Sequence, residues 1–171
     1  MIFDILLGSP ILEDIKINRR DAVRGVILLQ NKVLLIHTNK GDYKLPGGGV
    51  KNNETHSEAL QREILEETGY KNCVVREKIG AITERHIDEY DENAFFQMNS
   101  HYYLCELLLN DKVEQRLDDY ESKQEFMPKW VSIDDAIAEN EKCLRLPLHN
   151  EWVYREMLVL KELKKYYSET V

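Results

Sequence analysis

Glu63, Glu66 and Glu67 crowd into five consecutive positions, with Arg62 directly before them and Glu54 a short way upstream. Ahead of them runs Pro46-Gly47-Gly48-Gly49. Carboxylates at this density are hard oxygen donors, the ligands that Mg²⁺ or Mn²⁺ take. A glycine run leaves the backbone open, including at positive φ, so a metal ion or a phosphate can approach it closely. Like charges spaced i,i+3 and i,i+4 destabilise a helix, and a divalent cation removes that cost. The same spacing also suits a solvated acidic face, since exposed carboxylates are common.

The carboxylates need a helix to hold them together. Thr55-x-x-Glu58 reads as a capping box, with Thr55 as N-cap. Ala59, Leu60, Ile64 and Leu65 continue the helix to Gly69, a suitable residue just past a helix end. With Glu63 at zero and about 100° per residue, Glu67 lies at about 40° and Glu66 at about −60°, with Ala59 on the same arc. Leu60, Ile64 and Thr68 lie at about 60–140° and form the packing side. One side of the helix therefore gathers the three glutamates while the neighbouring side anchors it.

The segment Gly48 to Tyr70 resembles the Nudix box of the Nudix hydrolase family. That pattern is Gly, five residues, Glu, seven residues, Arg-Glu, an aliphatic, any residue, Glu-Glu, any residue, Gly and an apolar residue. Gly48, Glu54, Arg62-Glu63, Ile64, Glu66-Glu67, Gly69 and Tyr70 fill it, Tyr70 standing loosely for an aliphatic. Trp130-Val131-Ser132-Ile133-Asp134-Asp135-Ala136 also resembles the family's late strand-to-helix passage, so the resemblance covers about residues 20 to 165.

The rest of the chain reads as alternating strands and helices. Met1 to Gly8 is an apolar run ended by Ser9-Pro10, and residues 1–18 are expected to be an N-terminal strand or packing arm. A hairpin is expected from Asp21 to Thr38, turning at Gln30-Asn31-Lys32, its apolar strands covered on both faces. Arg24 is its odd member, placed either at a substrate phosphate or at a sheet edge. A strand is expected within Asn72–Thr83, a polar loop or a solvent-exposed hairpin end over Glu84–Asn93, and a long strand over Ala94–Leu109. Asn110–Met127 is a charged loop with at most a helical turn, and Pro128–Ser132 a last strand. A short helix follows over Asp135–Glu141, and a final helix over Pro147–Tyr167. The resemblance implies a Nudix-like α/β/α sandwich with a mixed β-sheet, one domain over residues 1–171.

Composition narrows the partners. The chain has 171 residues, 43% hydrophobic and 32% charged, with a formal net charge of −8. Bulk electrostatics then makes nucleic acid and an anionic membrane unlikely partners. Cys73, Cys105 and Cys143 show neither zinc spacing nor an even disulfide set, which suits a cytoplasmic protein. Asp4 interrupts any signal-peptide pattern. The run Ile2–Leu7 serves a homodimer arm as readily as a core strand.

What the resemblance implies is Mg²⁺-dependent hydrolysis of a phosphoanhydride in a nucleoside diphosphate linked to X, with Mn²⁺ as a substitute ion. Glu63 and Glu67 are then the principal metal ligands, Glu66 a third ligand or the water-activating carboxylate, and Glu54 an outer ligand. Gly48 and Gly49 would act by backbone carbonyl or close approach, and Arg62 would orient a glutamate. A late-loop glutamate completes the set in some members, here Glu125 or Glu121, and Glu125 is a candidate base. Arg24, Gly49, Glu84 and Arg85 are substrate-binding candidates. ADP-ribose-cleaving members often carry a proline about fifteen residues beyond the box. Here Glu84-Arg85-His86 stands in that neighbourhood, so the chain most resembles the MutT-like group acting on a nucleoside triphosphate or a modified one. Nucleotide-sugar or dinucleoside polyphosphate hydrolysis, RNA 5′-end hydrolysis and a non-catalytic nucleotide-binding regulator stay as alternatives.

Overall fold

The computed structural model describes residues 1–8 and 14–168. Its strands are β1 (Phe3–Gly8), β2 (Lys16–Leu29), β3 (Lys32–His37), β4 (Tyr43–Lys44), β5 (Cys73–Ile87), β6 (Ala94–Leu107) and β7 (Met127–Val131). Its helices are α1 (His56–Thr68), α2 (Asp119–Lys123), α3 (Ile133–Leu144) and α4 (Val153–Ser168). The strands form one mixed seven-stranded sheet in the order β1-β5-β6-β2-β3-β4, with β7 also pairing β3. β2 runs parallel to β6 and β1 parallel to β5, while β5 and β6 are antiparallel.

Each face of the sheet carries its own core, which makes the α/β/α sandwich. On one face Val23 and Ile27 of β2 and Leu34 of β3 pack on Ala59, Leu60 and Ile64 of α1. On the other, Val26, Val33 and Leu35 pack with Ala136 of α3 and Val159, Leu160 and Leu163 of α4. The near-continuous apolar character of β2 and β3 thus follows from cover on both sides. Their turn uses Gln30 and Asn31, both at positive φ (49° and 63°), as a two-residue hairpin of matching twist requires.

Several boundaries differ from the sequence reading. β5 runs on through Glu84, Arg85, His86 and Ile87, because these residues pair with β6 and the first two also with β1. Their polarity suggests a loop, but each of the two charged residues has a partner on its own face of the sheet. The end of the expected N-terminal arm, from Lys16 on, is the beginning of β2, which continues to Leu29. β1 is a strand of the chain's own sheet, with Phe3 in the core and its ring against Tyr102. The Ser9-Pro10 break lies outside the described residues. The last helix begins at Val153, so Pro147 falls in the loop before it. Ser132 caps α3, which starts at Ile133 and runs to Leu144.

β4 is only two residues long, yet it leads directly into the glycine turn. On one side it pairs with β3. On the other, side chains from the helices take the place of a strand. The Asn140 amide of α3 accepts from the Tyr43 N–H (2.8 Å) and donates to the Tyr43 carbonyl (2.9 Å). The Glu156 carboxylate of α4 accepts from the Leu45 N–H at 2.9 Å. Asn140 and Glu156 are both fully buried, so water offers no alternative partner. Asn140→Leu keeps the volume and leaves both Tyr43 backbone groups unpaired. We expect a loss of about 2–4 kcal/mol in urea unfolding, from about 1–3 kcal/mol per unsatisfied buried group. A change within about 0.5 kcal/mol, the range of an ordinary surface substitution, would show that β4 does not depend on this amide.

Candidate metal and phosphate cleft

The glycine turn and α1 meet face to face. Gly47 takes φ +140°, and a Cβ there would lie 2.0 Å from the Val23 carbonyl. A Cβ on Gly48 would lie 2.5 Å from the Glu63 carboxylate. Only a bare backbone lets α1 press its acidic side so close. Val23 N–H and Gly25 N–H tie the turn to β2 through the Gly48 and Pro46 carbonyls, both at 2.9 Å.

The glutamates of α1 divide by burial. Glu67 is 1% exposed, accepting from the Lys44 ammonium and from the Gly47 N–H at 2.7 Å. Burial pushes its carboxyl above the usual carboxylate range, against the pull of Lys44. Glu63 is also buried, while Glu66 is partly exposed at the cleft wall. Arg62 gathers the others. Its guanidinium bonds both oxygens of Glu54 (2.7 and 3.0 Å), one oxygen of Glu63, Glu66 at 3.2 Å and the Gly49 carbonyl at 3.2 Å. The Arg62 bond is the main reason Glu54 falls to about 2. Glu54 is thus held by Arg62 and the Lys51 N–H rather than standing in the inner acidic group.

The third member of that group comes from outside α1. Oxygens of Glu63, Glu67 and Glu121 lie within 4.8 Å of one another. Glu121 is delivered by the segment after β6, which runs along the end of α1. Val113 N–H bonds the Gly69 carbonyl and Arg116 N–H the Glu66 carbonyl, both at 2.9 Å. α2 then opens with a capping box in which Asp118 accepts from Glu121 N–H (2.8 Å) and Glu121 accepts from Asp118 N–H (2.9 Å). Burial first, then the nearby charge of Glu67, pushes Glu121 up to about 7. Three crowded carboxylates are a donor set for a hard divalent cation, which would offset their repulsion. Glu125 lies elsewhere: it is exposed, at φ 52°, on the turn that ends α2.

Two lobes open from this group. The outer lobe, about 520 Å³, is lined by Glu63, Glu66 and Glu121 together with Arg20, Lys51 and Arg116. The inner lobe, about 180 Å³, is lined by Arg20, Arg24 and Arg155 and by Tyr120, Phe126 and Trp152. Arg24 is buried on a central strand rather than at a sheet edge, and donates to the Gly47 carbonyl while its Nε has no partner among the described residues. The guanidinium of Arg20 lies over Gly49, so close that a Cβ there would be 2.7 Å from its Nη2.

Two substrate candidates are placed away from the cleft. Arg85 is on the face of β5 opposite Glu84, bonded to Gln97 at 3.0 and 2.8 Å, and lines neither lobe. Glu84 shares the cleft's side of the sheet but is spent on Arg155 at 2.7 Å, lining neither lobe itself. Sequence reasoning did not find Lys44, Arg155, Tyr120 or Trp152. Two signals were available: Arg20, Ala22 and Arg24 alternate on one face of β2, and Asp118-x-x-Glu121 has the form of a capping box.

Two outcomes follow from this geometry. Glu121→Gln should weaken Mn²⁺ binding, followed by calorimetry, by at least about 10-fold, the loss that even an outer partner of a metal site causes. Glu125→Gln should leave it unchanged, and the reverse pattern would overturn the placement. Glu54 has a folded pKa depressed from the ordinary 4.5 to about 2. Its stabilisation is therefore complete above about pH 4.5 and is lost as pH falls toward about 2. The stability gap between the wild type and Glu54→Gln should close across that window in acid titrations of unfolding.

Comparison with known proteins agrees with this architecture. The family model for the NUDIX domain matches residues 18–153. An ADP-ribose pyrophosphatase of Methanocaldococcus jannaschii is 52% identical over 52 residues, 28% of this chain and 31% of that protein, so the chain matches less than a third of that relative's length. An 8-oxo-dGTP diphosphatase of Buchnera aphidicola is 28% identical over 140 residues, covering 79% of this chain and 90% of the relative. A NUDIX hydrolase from Nitrosomonas europaea has the same fold, with a TM-score of 0.57 at 19% identity over 89% of this chain and 90% of that one. No helix among the described residues is long and apolar enough to cross a membrane. With the glycine turn, the acidic helix and the sandwich all in place and the family model matched over most of its length, the chain belongs to the NUDIX domain family.

Proposed function

We propose that the protein is a Mg²⁺-dependent pyrophosphohydrolase that cleaves a phosphoanhydride in a nucleoside triphosphate or a modified one. The observation that carries this reading is the outer lobe. Beside the acidic group it is lined by Arg20, Lys51 and Arg116. Arg20 and Arg116 form no ion pair among the described residues. Cations without internal partners at the mouth of a carboxylate group suit a run of phosphates. A neutral sugar would not call for them. The chemistry named for the two curated relatives, hydrolysis of ADP-ribose and of 8-oxo-dGTP, belongs to the same reaction class.

Glu63, Glu67 and Glu121 would hold the ion, which when bound supplies charge neutralisation for the phosphates and a more acidic water. Arg62 fixes the carboxylates of Glu63 and Glu66, so neither needs to reorganise when substrate arrives. Arg20 and Arg116 orient the outer phosphates against this group, and Arg24 and Arg155 form the inner floor. Glu66 faces the outer lobe with one exposed edge and is the carboxylate on this chain best placed to take a proton from an attacking water.

The test is a Mg²⁺-dependent hydrolysis screen over canonical and oxidised nucleoside triphosphates, nucleotide sugars, ADP-ribose and dinucleoside polyphosphates, with products identified and Glu67→Gln as control. Turnover of a triphosphate to a monophosphate and pyrophosphate, lost in the control by at least about 100-fold as expected when charge stabilisation is removed, is the expected result. Preferred turnover of ADP-ribose or a nucleotide sugar would overturn the triphosphate assignment. No turnover of any class by a folded, metal-binding protein would overturn the enzyme reading.

A further inference from the structure

The inner lobe has an aromatic wall that the acidic motif does not explain. Trp152 stands edge-on to Tyr120 and to Phe126, with ring centroids 6.1 and 6.4 Å apart at 84° and 89°. Tyr120 is 50% exposed although it lines the cleft. A large aromatic surface left open inside a cleft is the kind of surface on which a flat ring system lies.

The wall is also held rigidly. The Trp152 indole N–H donates to the Asp42 carboxylate at 2.8 Å. Asp42 is fully buried and also accepts from Thr38 Oγ1 (2.6 Å) and Asn150 Nδ2 (2.8 Å). Asn150 exchanges hydrogen bonds with Gln124 at 3.0 and 3.1 Å, and Gln124 Nε2 donates to the Tyr120 hydroxyl at 3.1 Å. The polar ends of both rings are thus tied into one network beneath the cleft, while half of Tyr120 stays exposed. A fully satisfied buried network fixes the groups it contains, and a preorganised wall loses little freedom when a ligand lands on it.

Tyr120 is also the neighbour of Glu121 on the five-residue helix α2. The Glu121 carboxylate serves the acidic group and the capping box of that helix together. Anything that holds Tyr120 therefore holds the helix that presents Glu121. We propose that Tyr120 and Trp152 form the surface on which the nucleobase of the substrate lies, and that Tyr120 is a positioning residue through which base contact sets Glu121 in the acidic group. The proposal deepens the nucleotide reading above and rests on it for the choice of substrate.

Two measurements separate the possibilities. In a ¹⁵N spectrum the two tryptophans give two indole signals, Trp130 and Trp152. Nucleoside monophosphates carrying each of the four bases are titrated beside ribose 5-phosphate. At least one base-bearing ligand should shift the Trp152 indole and ribose 5-phosphate should not. In the second, Tyr120→Ala and Tyr120→Phe are assayed on the triphosphate the wild type cleaves best and on ribose 5-triphosphate. Tyr120→Ala should lose about 10- to 100-fold in kcat/KM on the nucleotide, the range that base–aromatic stacking is worth. The loss should appear in kcat as well as KM and should vanish on ribose 5-triphosphate, and Tyr120→Phe, which keeps the ring and gives up only the bond from Gln124, should lose far less than Tyr120→Ala.

Equal losses on both substrates would reduce Tyr120 to a structural role and overturn the proposal. A change in KM alone would overturn the positioning role. A Trp152 signal that no nucleotide moves would overturn the wall. Should the wild type cleave no triphosphate, the function proposed above falls, and the Trp152 signal still decides the wall.

Discussion

A carboxylate buried to 1% exposure, that of Glu67, is the constraint around which this fold is built. Removing a charge from water costs far more than most side-chain contacts return, so it persists only with dedicated partners. Lys44 from β4 and the Gly47 N–H from the turn are those partners. β4 cannot hold Lys44 in place by itself, being two residues long. It is fixed by Asn140 from α3 and Glu156 from α4, which complete its backbone bonds from the far side. Helices that give no carboxylate to the acidic group are thus part of its support. The chain of dependence runs from helix packing through an edge strand to one carboxylate.

Charge in the cleft is arranged in layers rather than balanced overall. Among the innermost carboxylates, Glu67 faces Lys44 and Glu63 faces Arg62, which also gathers Glu54 and Glu66. Arg155 has the same character, clamped between Glu84 and Glu156. Outside these pairs stand Arg20 and Arg116, which have no internal ion pair among the described residues. A net charge of −8 for the whole chain therefore says little about the field at the mouth of the cleft. That field is set by the few groups that are not neutralised nearby. An anionic substrate can be drawn to an acidic protein on these terms.

The sequence made the central helix legible because its signals are local. The Thr55–Glu58 box forms as read, with both reciprocal bonds present, and Gly69 ends the helix at φ 75°. The apolar runs of β2 and β3 likewise announced a sheet covered on both faces. What escaped were contacts between distant segments. Glu84 and Arg85 read as loop residues because they are polar, and no local rule says that Arg155 and Gln97 wait opposite them. Glu121 and Glu125 read alike as charged residues of one loop until Asp118-x-x-Glu121 is taken as a capping box. The difference between them is backbone: Glu121 occupies the third position of a capped turn, while Glu125 takes a left-handed conformation at its end. Lys44 gave no sign of burial, since its partner is 23 residues further on.

The contrast between α1 and α2 explains how such a site can be both firm and responsive. α1 is anchored along its length by Ala59, Leu60 and Ile64 in the core, so Glu63 and Glu67 cannot move without disturbing that packing. α2 has no buried residue. It is held by its capping box, by the Gln124 network and by the bond from the Asn39 N–H to the Gln124 carbonyl. These bonds fix its position where α1 relies on core packing. The acidic group is therefore completed by its least anchored member, and the element that carries that member also carries an open aromatic ring. Under the proposal above, a ligand that touches the ring would favour the arrangement in which Glu121 faces Glu63 and Glu67, because the two side chains leave adjacent residues of one short turn. On the proposed reading, base contact and the carboxylate that completes the acidic group belong to one short element, held by hydrogen bonds where α1 is held by core packing.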